Sequence, residues 1–318
     1  LAQHDSDPFA RWQALQDVSM ALASSAATGT PWGENAVAAL SQAMADTLDN
    51  PNLDDAFKAL ALALPGEALI ARAIGKDVDP DAVHAVRDQL NRAVFGPLTS
   101  QLTAAYLTLA SEAAYGPDAA SSGRRALRNR LLGLLISSGA GNGPALAAQQ
   151  YHDATNMTDR FAALAVSGAA WTAEAPVLLA DFRTRFTGDP LVLDKWLSVS
   201  ASAQDSGVLE RVKAILAEPN FPKNNPNRLR ALVGSFAMNN PTQFARADGA
   251  GFRFVADFVA DVDTRNPQVA ARVLTGFRIW PMLEAGRREE AKAALTALQT
   301  RGGLSRNASD ILLRTLQG

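Results

Sequence analysis

The sequence predicts an all-α fold, an irregular α-superhelix built as a HEAT-like stack of antiparallel helix hairpins. Three observations carry this expectation. Of 318 residues 62 are Ala, and aromatics make up only 7%, so helix formers outweigh strand formers. Nearly every segment between breakers spaces its apolar side chains by three or four, and no convincing alternating strand of five or more residues occurs. Asp or Asn stands directly before Pro at Asp7-Pro8, Asn50-Pro51, Asp79-Pro80, Asp189-Pro190, Asn225-Pro226, Asn240-Pro241 and Asn266-Pro267. The side chain of the first residue can accept from the free amides of a first helical turn. Proline at the next position gives up no helical hydrogen bond and arrives with its φ already set. All seven pairs are therefore expected to begin helices.

The elements follow in order along the chain. Phe9, Trp12, Leu15, Val18 and Leu22 share one helix face, and Val37, Leu40, Met44 and Leu48 share another. Val83, Val86, Leu90 and Val94 make a third, and Leu98, Leu102, Tyr106 and Leu109 a fourth. Gly66, Gly96, Gly188 and Gly318 are expected where helices stop, and residues 121–123 and 137–143 read as turns. Between Asn225 and Asn266 lie 41 residues with two helical segments, near the repeat length of HEAT-type solenoids. No linker rich in Pro, Gly or Ser divides the chain, so residues 1–318 are expected to form one domain.

Composition excludes several functions. Thirty Lys and Arg against 32 Asp and Glu leave a net charge of −2, with no basic field for nucleic acid or an anionic membrane surface. No apolar run is long enough to span a membrane. The absence of Cys removes disulfides, Cys-ligated zinc, iron–sulfur clusters and a thiol nucleophile, and it suits a reducing cytoplasm. The start lacks a signal peptide, and opening on Leu1 instead of Met reads as a piece of something longer.

Histidine occurs only at 4, 84 and 152, and no two lie at the His-Glu-x-x-His spacing of zinc peptidases. Nucleophile-elbow and P-loop motifs are missing. Gly139, Gly141 and Gly143 follow a helix at 131–136, which suits a helix end and a hairpin turn better than a phosphate loop. Asp77, Asp79 and Asp81 alternate like the start of a calcium loop, but Ala82 stands where that loop requires glycine, and they are expected to serve the helix at Pro80. Arg124, Arg125, Arg128 and Arg130 read as a solvated helix face, and Trp12, Trp196 and Trp280 as core. The residues alone thus describe an α-solenoid with no visible catalytic machinery and no metal site.

Four blocks carry the reading further: QYHDATNMTDRFAAL at 150–164, LVLDKW at 191–196, NNPNRLRALVGSF at 224–236 and DTRNPQVA at 263–270. In this order and spacing they resemble the C-terminal domain of bacterial aminopeptidase N, a gluzincin zinc metallo-aminopeptidase, and DSDPFARW at 5–12 is similar to the segment that opens that domain. The resemblance implies that zinc and the catalytic residues belong to a preceding thermolysin-like domain of the same polypeptide, none of which is in this chain. It implies an all-α superhelix that caps the catalytic domain, gates peptide access and adds polar residues to the substrate channel. By motif these are Gln268, Arg272 and Arg230, with no catalytic residue and no cofactor in the chain itself. Gln268 and Arg272 are four apart and share a helix face, and Arg suits a carboxylate through paired N–H donors. Alternatively Arg230 and Arg272 pair with Asp257, Asp261 or Asp263. The competing function is a free-standing α-solenoid scaffold that binds a protein partner on its concave face.

Overall fold

Residues 7–110 and 115–317 are described by the computed structural model. Among them the chain is all-α, with nineteen α-helices, two 3₁₀ stretches and one π turn. There is no strand, only an isolated bridge between Val78 and Leu283. Residues 5 and 6 of the opening block, His4 and the expected stop at Gly318 lie outside the described residues.

Six of the seven Asp/Asn–Pro pairs open helices, at Pro8, Pro80, Pro190, Pro226, Pro241 and Pro267. Asp7, Asp189, Asn225, Asn240 and Asn266 accept from first-turn amides as expected. The seventh pair is a correction. Asn50 ends a helix and its Oδ1 takes the amide of Asn52 at 2.9 Å, closing a turn, and the next helix waits for Asp54, which caps through Phe57 N at 2.7 Å. An Asn-Pro pair serves a turn as readily as a helix start. Gly66 is corrected too: its carbonyl receives Leu69 N and Ile70 N, so it stands at a helix start.

Contacts group the chain into two compact units. The first comprises residues through Ile74 and Asp81–Glu174. It holds α1 (Pro8–Ala27), α2 (Glu34–Asp49), α3 (Asp55–Ala61), α4 (Glu67–Ile74), α5 (Pro80–Phe95), α6 (Thr99–Thr108), α7 (Ala119–Ser137), α8 (Gly143–Asp153) and α9 (Met157–Ala169). Helix α7 packs against α3, α6, α8 and α9 and buries Leu127, Leu131, Leu132 and Leu135. Its first turns include residues 121–123, read above as a turn; Asp118 caps it through Ser121 N at 2.9 Å. Gly123 lets α7 approach α3 closely, since a Cβ there would sit 3.1 Å from Ala56 N.

The arginines of α7 are not the uniformly solvated face expected. Arg125 donates to Gly116 O at 2.7 Å and lies over the Tyr115 ring, Arg128 lies over the Tyr106 ring, and Arg130 donates to Ala59 O at 2.9 Å, a carbonyl at the end of α3. Long cationic side chains spend their N–H groups on carbonyls and ring faces that helix ends leave open. Buried Gln150 joins three helices by donating to Asn129 Oδ1 at 2.7 Å and Asp159 O at 3.0 Å while accepting from Tyr106 OH at 3.0 Å. Burial is the main reason the Tyr106 phenol is pushed above its ordinary value.

The second unit comprises Gly75–Pro80 and Ala175–Gly318. It contains α10 (Ala175–Arg185), α11 (Pro190–Ser202), α12 (Val208–Ala217), α13 (Pro226–Leu229), a π turn (Arg230–Gly234), α14 (Ser235–Asn239), α15 (Pro241–Phe244), α16 (Ala250–Asp263), α17 (Pro267–Leu274), a 3₁₀ stretch (Thr275–Met282), α18 (Ala285–Arg301) and α19 (Arg306–Gln317). Phe244, Phe252 and Phe277 are fully buried with centroids 5.0, 5.1 and 5.7 Å apart, two of the three pairs edge-on. Buried Arg287 donates to Ala245 O at 2.7 Å and to Asp79 Oδ1 at 2.9 Å, and Val78 exchanges backbone bonds with Met282 O and Glu284 N. Asp79 thus serves Arg287, while Asp77, at φ 53°, faces Arg288 at 3.4 Å.

Two predictions follow from this packing. A Cβ on Gly251 would stand 2.3 Å from both Gln243 O and Phe244 O, backbone atoms that cannot step aside. Gly251→Ala is therefore expected to cost about 3 kcal/mol, at the upper end of overpacking, read as a lower urea midpoint. The second concerns His84, whose Nδ1 lies 2.8 Å from Glu67 Oε1, with Asp88 at 3.8 Å. The Glu67 hydrogen bond raises the His84 pKa above 6.5, against burial and the nearby Arg87. The charged imidazole favours the fold, so its contribution is complete below the unfolded value and is lost as pH rises through the folded one. His84→Gln is expected to lose about 0.5–1 kcal/mol relative to the parent at pH 5.5 and much less at pH 8.5, measured by denaturant titration.

Candidate functional site

Helices α13 and α14 and the π turn between them make one continuous helix over residues 226–239. Asn225 starts it, accepting from Asn227 N at 2.9 Å and Arg228 N at 3.4 Å. Arg228 is buried and pairs with Asp194 of α11, which joins two of the sequence blocks singled out above. Burial holds the Arg228 guanidinium below its ordinary pKa. The widened turn disturbs the regular carbonyl ladder, and Ala231 O accepts from Ser198 Oγ of α11 at 3.3 Å. Asn240 ties the far end to α11, donating to Ala201 O at 3.0 Å and Ala203 O at 2.8 Å.

Arg230 opens the π turn and is exposed. Its Nε donates to Pro226 O at 3.2 Å and its Nη2 to Asn227 Oδ1, so the guanidinium is held by its own helix with no carboxylate on it. Helix α17 packs against the π turn. It begins at Asn266, which accepts from Val269 N at 3.2 Å. Val269, Ala270, Ala271, Val273 and Leu274 are buried, which leaves Gln268 and Arg272 exposed on the remaining face. Neither side chain makes a hydrogen bond or ion pair to another described residue.

The three residues named from sequence therefore sit on neighbouring elements of one unit, all exposed. The competing carboxylates are taken elsewhere: Asp257 faces Arg301 at 3.8 Å, Asp261 faces Arg265 at 2.7 Å, and buried Asp263 accepts from Ser305 Oγ at 2.7 Å. A guanidinium one helical turn from an amide, as Arg272 is from Gln268, can hydrogen-bond a carboxylate or a peptide backbone. The described residues contain no group of three His, Asp or Glu able to hold a metal. His84 faces Glu67, and His152 stacks edge-on against Tyr151. Among the described residues no helix is long and apolar enough to cross a membrane. Sequence reasoning missed the π turn, which no residue pattern announces.

Capped helix pairs with few long connections define an array of helical repeats. The chain belongs to the family described as a domain of unknown function (DUF3458_C) with ARM repeats, which matches residues 1–317. It is 35% identical over 315 residues to aminopeptidase N of Caulobacter vibrioides, covering 98% of this chain and 36% of that protein. It is 30% identical over 318 residues to aminopeptidase N of Escherichia coli K12, covering 99% and 36%. The chain thus spans about a third of the length of these curated relatives. A crystal structure of Legionella pneumophila aminopeptidase A in complex with aspartic acid superposes with a TM-score of 0.87 over 99% of this chain and 38% of that one, at 23% identity, which establishes the shared fold.

The Arg228–Asp194 pair generates a prediction. Asp194→Ala leaves a buried guanidinium without its counter-charge and is expected to destabilise by about 3 kcal/mol, whereas adding Arg228→Met should recover most of the loss. Thermal unfolding of the single and double variants measures the difference.

Proposed function

We propose that this chain is the C-terminal domain of a zinc-dependent aminopeptidase N, which removes N-terminal residues from peptides. In this reading it caps a catalytic domain of the same polypeptide, gates the approach of peptides and lines their channel with Arg272, Gln268 and Arg230. It performs no chemistry alone, and the zinc belongs to the catalytic domain. One observation carries the proposal: the exposed faces of α17 and the π turn present Gln268, Arg272 and Arg230 free of carboxylate partners, in a chain that matches about a third of each aminopeptidase N. That partial coverage favours a part of a larger enzyme over a free-standing scaffold. A cysteine-free chain suits the cytoplasm, where we place it.

The role of each group follows from its chemistry. Arg272 supplies a planar fork to the terminal carboxylate or a backbone carbonyl of the bound peptide, on the C-terminal side of the scissile bond. Gln268, one turn away, offers both a donor and an acceptor to the peptide backbone. Arg230, steadied by Pro226 O and Asn227, extends the cationic edge.

Arg272→Ala in the longer polypeptide is expected to weaken binding of short peptides by about 1–3 kcal/mol, the range for a lost charge-assisted hydrogen bond. Chromogenic substrates that end at the scissile bond should change little, because they never reach this surface. Equal loss on both substrate types would make the arginine structural. The separated chain is expected to release no amino acid from either substrate.

A further inference from the structure

Helix α17 runs without a break into the 3₁₀ stretch, so residues 267–282 form one rod. Its exposed positions are Gln268, Arg272 and Arg278, while 269–271, 273, 274, 276, 277 and 280 are all buried. Residues four apart on an α-helix differ by about 40° in direction, and residues three apart on a 3₁₀ helix eclipse one another. Gln268, Arg272, Thr275, Arg278 and Pro281 consequently form a single seam of exposed and half-buried positions.

The seam ends in a cleft of about 200 Å³ lined by Arg278, Trp280, Pro281, Ile311, Arg314 and Thr315. The Trp280 indole N–H donates to Thr315 O at 2.7 Å, which fixes the ring as a wall. Arg278 makes no hydrogen bond or ion pair to another described residue. Arg314 faces Asp310 at 3.0 Å with both side chains largely exposed. Two guanidiniums against one carboxylate leave a single positive charge in excess beside an apolar wall. That combination suits a monoanionic carboxylate carrying an apolar body, and planar forks suit a carboxylate in particular.

We propose that this cleft is a carboxylate-binding subsite that receives the C-terminal residue of peptides too long to end at Arg272. The assignment to peptides rests on the channel reading above; the carboxylate site does not. From Arg272 to Arg278 the rod rises roughly 11 Å, two steps of α-helix and four of 3₁₀. An extended peptide covers that distance in about three residues. If Arg272 holds the carboxylate of a tripeptide, Arg278 and Arg314 hold that of a hexapeptide.

Two measurements test this. In ¹⁵N–¹H spectra of this chain, the Trp280 indole signal, assigned by its loss in Trp280→Phe, should shift on titration with a hexapeptide of five alanines and a terminal leucine. It should not shift with the C-terminal amide of that peptide, and Arg278→Gln should abolish the response. An indole signal that ignores the acid, or follows acid and amide equally, overturns the subsite. In the longer polypeptide, Arg278→Gln should raise KM for the hexapeptide about ten-fold and leave trialanine unchanged. If Arg272→Ala impairs trialanine while Arg278→Gln leaves the hexapeptide KM untouched, the channel reading stands and the extended one fails. If the indole responds to the acid but neither variant alters peptide KM, the cleft binds carboxylates and the channel reading fails.

Discussion

The close approach of Gly276 to Ala237 holds the candidate surface together. A Cβ at 276 would lie 3.0 Å from Ala237 Cβ and 3.1 Å from Ala237 O, so the 3₁₀ stretch rests almost directly on the backbone of α14. Gly276 is the second residue of the 3₁₀ stretch that follows α17, and α14 continues from the π turn that begins at Arg230. One glycine therefore fixes the rod carrying Gln268 and Arg272 against the helix carrying Arg230. Interiors are close-packed and respond to a single added carbon, so the positions of exposed side chains on both elements depend on a contact that no ligand touches.

Much of this fold was legible in the sequence because its helices begin with covalent signals. At Asp189-Pro190 and Asn266-Pro267 the cap and the preset φ act within two residues, so tertiary context had little left to decide. Where a motif has two local uses, the reading failed: Asn50-Pro51 closes a turn, and Gly66 begins a helix instead of ending one. The arginines of α7 failed for a different reason. Charge pattern marks an exposed face, but the carbonyl of Ala59 and the ring of Tyr106 that claim Arg130 and Arg128 lie 71 and 22 residues away. That Gln268 and Arg272 share a face was readable from their four-residue spacing, whereas Arg230 was named through the resemblance alone. The seam beyond Thr275 was not readable, because a change from α to 3₁₀ winding alters which residues align, and only the buried Gly276 and the later Pro281 hint at it.

Polar groups inside each unit are used as joints and not as chemistry. Gln150 meets Asn129, Asp159 and Tyr106, leaving it satisfied at three contacts. Asn240 spends both N–H groups on the end of α11, and Asp263 accepts Ser305 at the start of α19. The joints at Asn240 and Asp263 meet carbonyls or an amide that helix termini leave unpaired. A buried polar group so committed adds specificity of packing, since any shift would strand it without a partner.

Among the surface groups the two arginines nearest the π turn differ in how ready they are to bind. Arg230 is anchored through Nε and one Nη to atoms of its own helix, so its fork is already oriented when a carboxylate arrives. Arg272 has no such anchor. Fixing a free arginine costs up to about 1.5–2 kcal/mol of rotamer freedom, a cost a pre-oriented side chain has largely met in folding. Freedom has a compensating use: an unanchored guanidinium can turn toward acceptors at different positions along the exposed edge of α17, whereas an anchored one serves a single position. A surface that combines one anchored and one unanchored cation offers both a preset fork and an adaptable one.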